Sequence, residues 1–244
     1  MSNLDIGKSL EENKQRTQHK PEPTPVVIAD QTSTKSVLIL VGVVLGFLLL
    51  FIGGFATYNH FTGAQVVNVD ELHKDNLKGD LNEEEGYVYN GFSIVKADGL
   101  WWTEVVRLGG LLKVPLRYGP KELENVSFTG NLLPLFNAGD SIHIAIDPSI
   151  ANKYYSLAIS ELSFNMAKGI ARSPIGSCTK NDSACDNRTI INCDHTQNKP
   201  VLELSYGGDA GVEMRGTCIK LTGQDLEIVR SVDRLLYQWY GVME

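Results

Sequence analysis

Between Val37 and Thr57 the chain runs through 21 residues without a single charge, VLILVGVVLGFLLLFIGGFAT. At about 1.5 Å of rise per residue this makes roughly 31 Å of helix, the thickness of a hydrocarbon core. Lys35 marks one edge and Tyr58, Asn59 and His60 the other. Arg16, Lys20 and Lys35 precede the run closely, whereas the first basic residue after it is Lys74. The positive-inside rule then places the N-terminus in the cytoplasm and the C-terminal mass outside, in the lipid bilayer by a single pass. A cleaved signal peptide is the competing reading, because Gly54-Phe55-Ala56 has a small-x-small form. The run exceeds a usual h-region and 36 residues precede it, which favours an uncleaved signal anchor. Gly42 and Gly46 form a G-x-x-x-G pair, a candidate helix-dimer contact, although glycine is common in membrane helices on composition alone.

The flanks divide the chain further. Residues 1–35 are polar, with Pro21, Pro23 and Pro25 and no apolar periodicity, as in a disordered cytoplasmic tail. Residues 36–58 are the expected transmembrane helix. Residues 59–85, ending in GDLNEEE, read as an acidic stalk, and 86–244 as one extracytoplasmic domain long enough to bury a core. The net charge is −7 and the tail is balanced, so the excess of acid belongs to the outer part. Phosphate binding needs cations, and a general nucleic-acid partner is therefore not expected.

The outer part opens with short apolar runs separated by Asn90-Gly91, Asp98-Gly99 and Gly109-Gly110, the turn chemistry of a β meander. SIHIAID alternates, with Ile142, Ile144 and Ile146 on one face and His143 on the other. Asp147-Pro148 fits a helix start, and apolar residues from Ala151 to Met166 recur at helical spacing, which predicts a long helix over 148–170. Strands are expected at 201–206, 212–214 and 218–221. A second long helix is expected over 224–240, with the stripe Leu226, Val229, Val232, Leu236, Trp239 and Tyr240. The fold class is α+β: an N-terminal transmembrane helix, then a domain with a mainly antiparallel sheet and two long helices packed on one face.

All four cysteines, Cys178, Cys185, Cys193 and Cys218, lie in the outer part at spacing C-x6-C-x7-C-x24-C. Without C-x2-C knuckles a zinc site is poorly supported, and an even count in an oxidising compartment favours two disulfides. Cys178–Cys185, closing a polar loop, with Cys193–Cys218, tying neighbouring strands, is the preferred pairing; the other two remain open. Three N-x-[ST] sequons place candidate glycosylation at Asn125, Asn181 and Asn187.

Catalytic motifs do not emerge: G-x-S-x-G, H-E-x-x-H, Walker A and G-x-G-x-x-G are all missing. No catalytic, cofactor or metal residues are assigned. His143 and His195 are the histidines expected in the folded part, both at surface or sheet-edge positions. Glu161 and Asn165 form an i, i+4 polar pair, and Trp101-Trp102 can put one ring in the core and one outward.

Several stretches together carry a resemblance: GYVYNGFSIVKADGLWWTEV, VPLRYGPKELENVSF, YYSLAISELSFNMAK, the spaced cysteines and TCIKLTGQDLEIVRSVDRLLYQWYGVM. The chain resembles an uncharacterised family of single-pass membrane-anchored proteins of small-genome archaea over most of residues 86–244. The resemblance implies an archaeal cell-surface setting and two cysteine pairs, and supplies no activity or cofactor. The expected function is a non-catalytic, membrane-anchored binding or envelope-assembly module, with an envelope protein or a second copy as partner. The alternative is a cell-envelope hydrolase that gathers His143, Asp140, Glu161 or similar groups in one pocket.

Overall fold

A computed structural model describes residues 34–62, 67–107 and 109–244, with side chains described from 34–58 in the first segment. Most of the expected N-terminal tail, residues 1–33, lies outside the described residues. The chain divides into two compact units, residues 1–65 and 66–244. The first contains α1 (Thr34–Thr62), of which Thr34–Tyr58 is long and apolar enough to cross a membrane. Its large apolar side chains from Val37 to Phe55 are all exposed. A Cβ added at Gly42 or Gly46 would meet nothing within 4 Å, so the face bearing the G-x-x-x-G pair is open.

The second unit begins earlier than the sequence suggests. Residues expected to form an acidic stalk contain α2 (Val69–Lys78), capped by the Asn68 side chain at Asp70 N and ended by Gly79 at φ 84°. His73 and Asn76 are buried, and the Asn76 amide donates to Tyr87 O and Ser93 Oγ. This helix packs on a four-stranded antiparallel sheet, β1 (Gly86–Tyr89), β2 (Phe92–Ala97), β3 (Leu100–Arg107) and β4 (Gly110–Leu116). The meander follows from its turns. Asn90-Gly91 and Asp98-Gly99 take positive φ at both positions, the geometry that lets a two-residue loop match strand twist.

A second, mixed sheet follows, and here parallel pairings dominate. Its strands are β5 (Ser127–Leu132), β6 (Ser141–Ile146), β7 (Ser173–Cys178), β8 (Val201–Gly216) and β9 (Cys218–Gly223). The order is β5-β8-β6-β7, with β9 also paired to β8. Strand β8 folds back on itself around β9: residues 201–206 run parallel to β9 and residues 211–215 antiparallel to it. Pairs β6–β7, β6–β8 and β5–β8 are all parallel. The expected antiparallel sheet is therefore the first one only. Strands β6 and β7 are joined through α3 (Lys153–Asn165), and a helical crossover of this kind returns the chain parallel.

The described residues form four α-helices, α1, α2, α3 and α4 (Leu226–Tyr240), so three rather than two follow the long apolar helix. The helix expected from residue 148 starts at Lys153, because Asn152 rather than Asp147 caps it, accepting from Tyr154 N and Tyr155 N. Asp147 instead accepts from Ser149 N and closes a turn. The end of α3 widens into one π turn, Met166–Ile170.

Helix α4 is enclosed by both sheets, and residues 228–237 except Arg230 are buried on every side. Ser231 Oγ accepts from Gly211 N and donates to Thr222 O of the mixed sheet. On the opposite side, Asp233 accepts from Arg117 N and Tyr118 N just after β4. One core thus joins Ile94, Val105 and Leu116 of the first sheet to Ile144, Leu204 and Leu221 of the second through α3 and α4.

The other face of the mixed sheet carries a small second cluster of Ala145, Ile191, Val201 and Cys218. It is covered by the loop between β7 and β8. The disulfides Cys178–Cys185 and Cys193–Cys218 hold that loop, and the described residues contain no free cysteine. A parallel sheet needs both faces covered. Here one cover is helical, and the other is a disulfide-tied loop.

Candidate functional site

Strand β6 lies between β7, which follows it in sequence, and β8, which comes later. The chain leaving β6 passes through α3 to β7 on one side, and the chain leaving β7 crosses to β8 on the other. Such a reversal leaves a crevice beyond the carboxyl ends of the two diverging strands, the usual ligand position in sheets of this kind. A cleft of 230 Å³ lies there, lined by Asp147, Ile150, Thr179, Glu203, Leu204, Ser205 and Tyr206.

Its floor is tied by Tyr155 of α3. The Tyr155 hydroxyl accepts from Asp147 N at 3.0 Å and donates to Leu204 O at 2.8 Å, linking the end of β6 to β8. Burial pushes this phenol up to about 12, so it stays neutral and a donor. On one rim, Asp147 accepts from Lys180 Nζ at 2.9 Å and from Ser149 Oγ at 2.7 Å. Burial alone would raise the Asp147 pKa, but the hydrogen bonds from Ser149 and Lys180 outweigh it and hold the carboxyl below its ordinary value. On the other rim, Asn152 Nδ2 donates to Tyr206 Oη and Asp225 Oδ1, and Tyr206 Oη donates to Asp225 Oδ1. Asp225 holds this position at a φ of 52°, a conformation that costs an L residue about 1–3 kcal/mol.

The cleft therefore offers two carboxyl side chains, Asp147 and Glu203, and the hydroxyls of Thr179, Ser205 and Tyr206, with the half-exposed Lys180 ammonium paired to Asp147. This donor and acceptor set suits a polar ligand. General acid chemistry at neutral pH needs a carboxyl raised toward 7, and Asp147 moves in the opposite direction.

The carboxyls that are raised lie elsewhere. Asp233 is wholly buried, and burial first, then the negative charge of Glu161, drives its pKa well up. Glu161 forms a 2.8 Å ion pair with Arg117, yet burial raises its pKa as well. Asp233 sits inside the core, whereas Glu161 is half-buried and its partner Arg117 exposed.

The residues singled out from sequence do not converge. His143 is buried rather than at the surface, because the disulfide-tied loop covers its face of the sheet, and its Nδ1 lies 2.7 Å from Ser177 Oγ. That spacing suits a nucleophile and base, but Ser177 has no solvent exposure. Asp140 is exposed beside Arg172, and Asn165 accepts from Tyr240 Oη while donating to Glu161 O. His73 joins the folded part, contrary to expectation, and His195 is exposed in the disulfide loop. Trp101 is buried and Trp102 half-buried, as alternation suggests.

Asn125, Asn181 and Asn187 are all exposed, although the Asn125 side chain already accepts from Arg230. Cys193, Glu203 and Cys218 bring three metal-ligating atoms within 4.8 Å of one another, but both sulfurs are joined in a disulfide and Glu203 accepts from Cys193 N. Asp147 carried a helix-start reading in the sequence and Tyr206 ended an expected strand, whereas Asp225 carried no signal. No protein-family model, curated protein or solved structure matches the chain.

Proposed function

We propose that this protein is a membrane-anchored extracytoplasmic binding module, its N-terminus cytoplasmic, which captures a polar ligand or a polar group of an envelope partner in the cleft between β6 and β8. The observation that carries this reading is the division of its carboxyls. Asp147, on the cleft, is held ionised by Ser149 and Lys180, and the two carboxyls with raised pKa, buried Asp233 and half-buried Glu161, do not line it. An ionised acceptor opposed to a lysine suits recognition, and a carboxylic acid that does not line the cleft cannot protonate a substrate held there. The separation of His143, Asp140 and Glu161 speaks against the hydrolase alternative. Two disulfides and the long apolar helix support an anchored domain in an oxidising space.

The test is cross-linking of intact cells with a membrane-impermeant amine reagent. Lys180, half exposed on the cleft rim, should link reproducibly to an envelope component, and the link should disappear in Asp147→Ala combined with Tyr206→Ala. Unlabelled lysines throughout residues 74–220 would refute the orientation. Links unchanged by the double substitution would refute the cleft as the binding site.

A further inference from the structure

Asp147 and Glu203 both line the cleft between β6 and β8, but their oxygens are not equally occupied. Asp147 Oδ1 accepts from Ser149 N and Ser149 Oγ, and its Oδ2 from Lys180 Nζ. Glu203 Oε2 accepts from Cys193 N at 2.7 Å, whereas Oε1 lies 3.7 Å from Lys220 Nζ, beyond hydrogen-bond length. Acceptor capacity on Oε1 is therefore open. Ser205, two residues on and so on the same face of β8, has a hydroxyl without a partner among the described residues. The charges of the cleft are balanced, Asp147 by Lys180 and Glu203 by Lys220. An anion would meet two carboxylates, and an ammonium would meet carboxylates that each hold a lysine already. A zwitterion would have to break the Asp147–Lys180 pair.

We infer that the cleft takes one neutral, polyhydroxylated ring, a hexose free or at the end of an envelope glycan, and that Glu203 selects it by accepting from its hydroxyls. The inference rests on the cleft being the binding site. An open carboxylate oxygen beside a free hydroxyl matches a ligand with neighbouring O–H donors, and O–H···O⁻ bonds are about twice as strong as neutral ones. Ile150 and Leu204 supply apolar wall for the C–H face of such a ring. At 230 Å³ the cleft is smaller than the about 300–1,000 Å³ of drug-sized pockets, which suits a single small ring. Glu203 is held for this role by the disulfide-tied loop, because Cys193, the donor to Oε2, is bridged to Cys218. The same loop steadies the neighbouring wall, where Asn192 Nδ2 donates to Thr179 O.

Saturation-transfer NMR on the full chain in phospholipid nanodiscs tests this with glucose, galactose and mannose, their methyl glycosides, glucosamine, glucuronate and glycine as probes. At least one neutral hexose should bind. Glu203→Gln, which keeps the side-chain shape and removes the charge, should raise its Kd about tenfold, and Ser205→Ala should raise it severalfold. Circular dichroism confirms that both variants are folded. Binding of the methyl glycoside with the hexose upholds the inference and assigns a glycan end; binding of the free hexose alone upholds it and assigns a solute. Glucosamine, glucuronate or glycine binding as tightly as the best neutral hexose overturns it, as does hexose binding that neither substitution weakens. If no hexose binds while Lys180 still cross-links through Asp147 and Tyr206, the inference falls and the cleft stands as a binding site. Loss of both the hexose signal and the Lys180 link overturns the two readings together.

Discussion

Asp233 offers the sharpest test of how this core is held together. Its side chain has no exposure, its Oδ2 accepts two backbone N–H groups at 3.0 Å each, and its Oδ1 has no partner among the described residues. Burial and the nearby Glu161 raise its pKa well above the ordinary aspartate value. Folded chains therefore hold a proton that unfolded chains have released. Stability from this group is complete below the unfolded pKa and is lost as pH rises from there through the folded pKa, by about 1.4 kcal/mol per pH unit. Asp233→Asn keeps a carbonyl acceptor for Arg117 N and Tyr118 N and removes the titration. Its stability relative to wild type should rise with pH across that window at the same slope. Asp233→Ala instead leaves two partly buried N–H donors without their acceptor, at up to about 1–3 kcal/mol each, and should lose as much as roughly 2–6 kcal/mol. Urea titrations of the full chain, followed by circular dichroism over a pH series, measure both. If Asp233→Asn loses as much as Asp233→Ala, and the pH dependence of the difference is flat, then Asp233 is ionised in the fold and the reasoning fails.

Other expectations follow from single features. Replacing Cys193 and Cys218 by Ser should cost about 3.5 kcal/mol and replacing Cys178 and Cys185 about 2.5, since the first pair closes the longer loop; non-reducing denaturation compares them. Gly223→Ala would place its Cβ 2.3 Å from Ile228 N, against backbone that opens α4, and should lower stability by about 1–3 kcal/mol or more in the same assay. Burial lowers the pKa of His73 and of His143, so their contribution is intact above the ordinary 6.5 and is lost as pH falls from there through the folded value. His143→Gln should flatten that acid-side loss in a thermal-melt series, and an unchanged profile would refute it.

Some of this architecture is legible locally and some is not. Asn90-Gly91 and Asp98-Gly99 announce their hairpins because positive φ is a property of the turn residues themselves. The periodicity of α4 places it within two residues of its observed start. Asp233 was hidden in the same helix: a carboxylate beside an apolar stripe reads as a solvated flank until a second sheet covers it. Alternation in SIHIAI suggested one wet face for β6, and the structure buries both, because the cover on the second face comes from residues 179–200, remote in sequence and nearly devoid of regular structure. Glu and Asp residues between 70 and 85 made α2 look like linker, although its two buried polar groups, His73 and Asn76, find partners on β1 and β2.

Local sequence alone determined the apolar helix, the turns, the disulfide-capable cysteines and the α+β character, since each rests on the covalent chemistry of neighbours or on a short repeat. The tertiary structure alone decided that the second sheet is chiefly parallel, that α4 lies between two sheets, and that Asp147 and Tyr206 line one cleft. The physical reason is range. Strand order and enclosure depend on which distant segments exclude water from which face, and the cleft arises only where the chain leaves β6 and β8 in opposite directions.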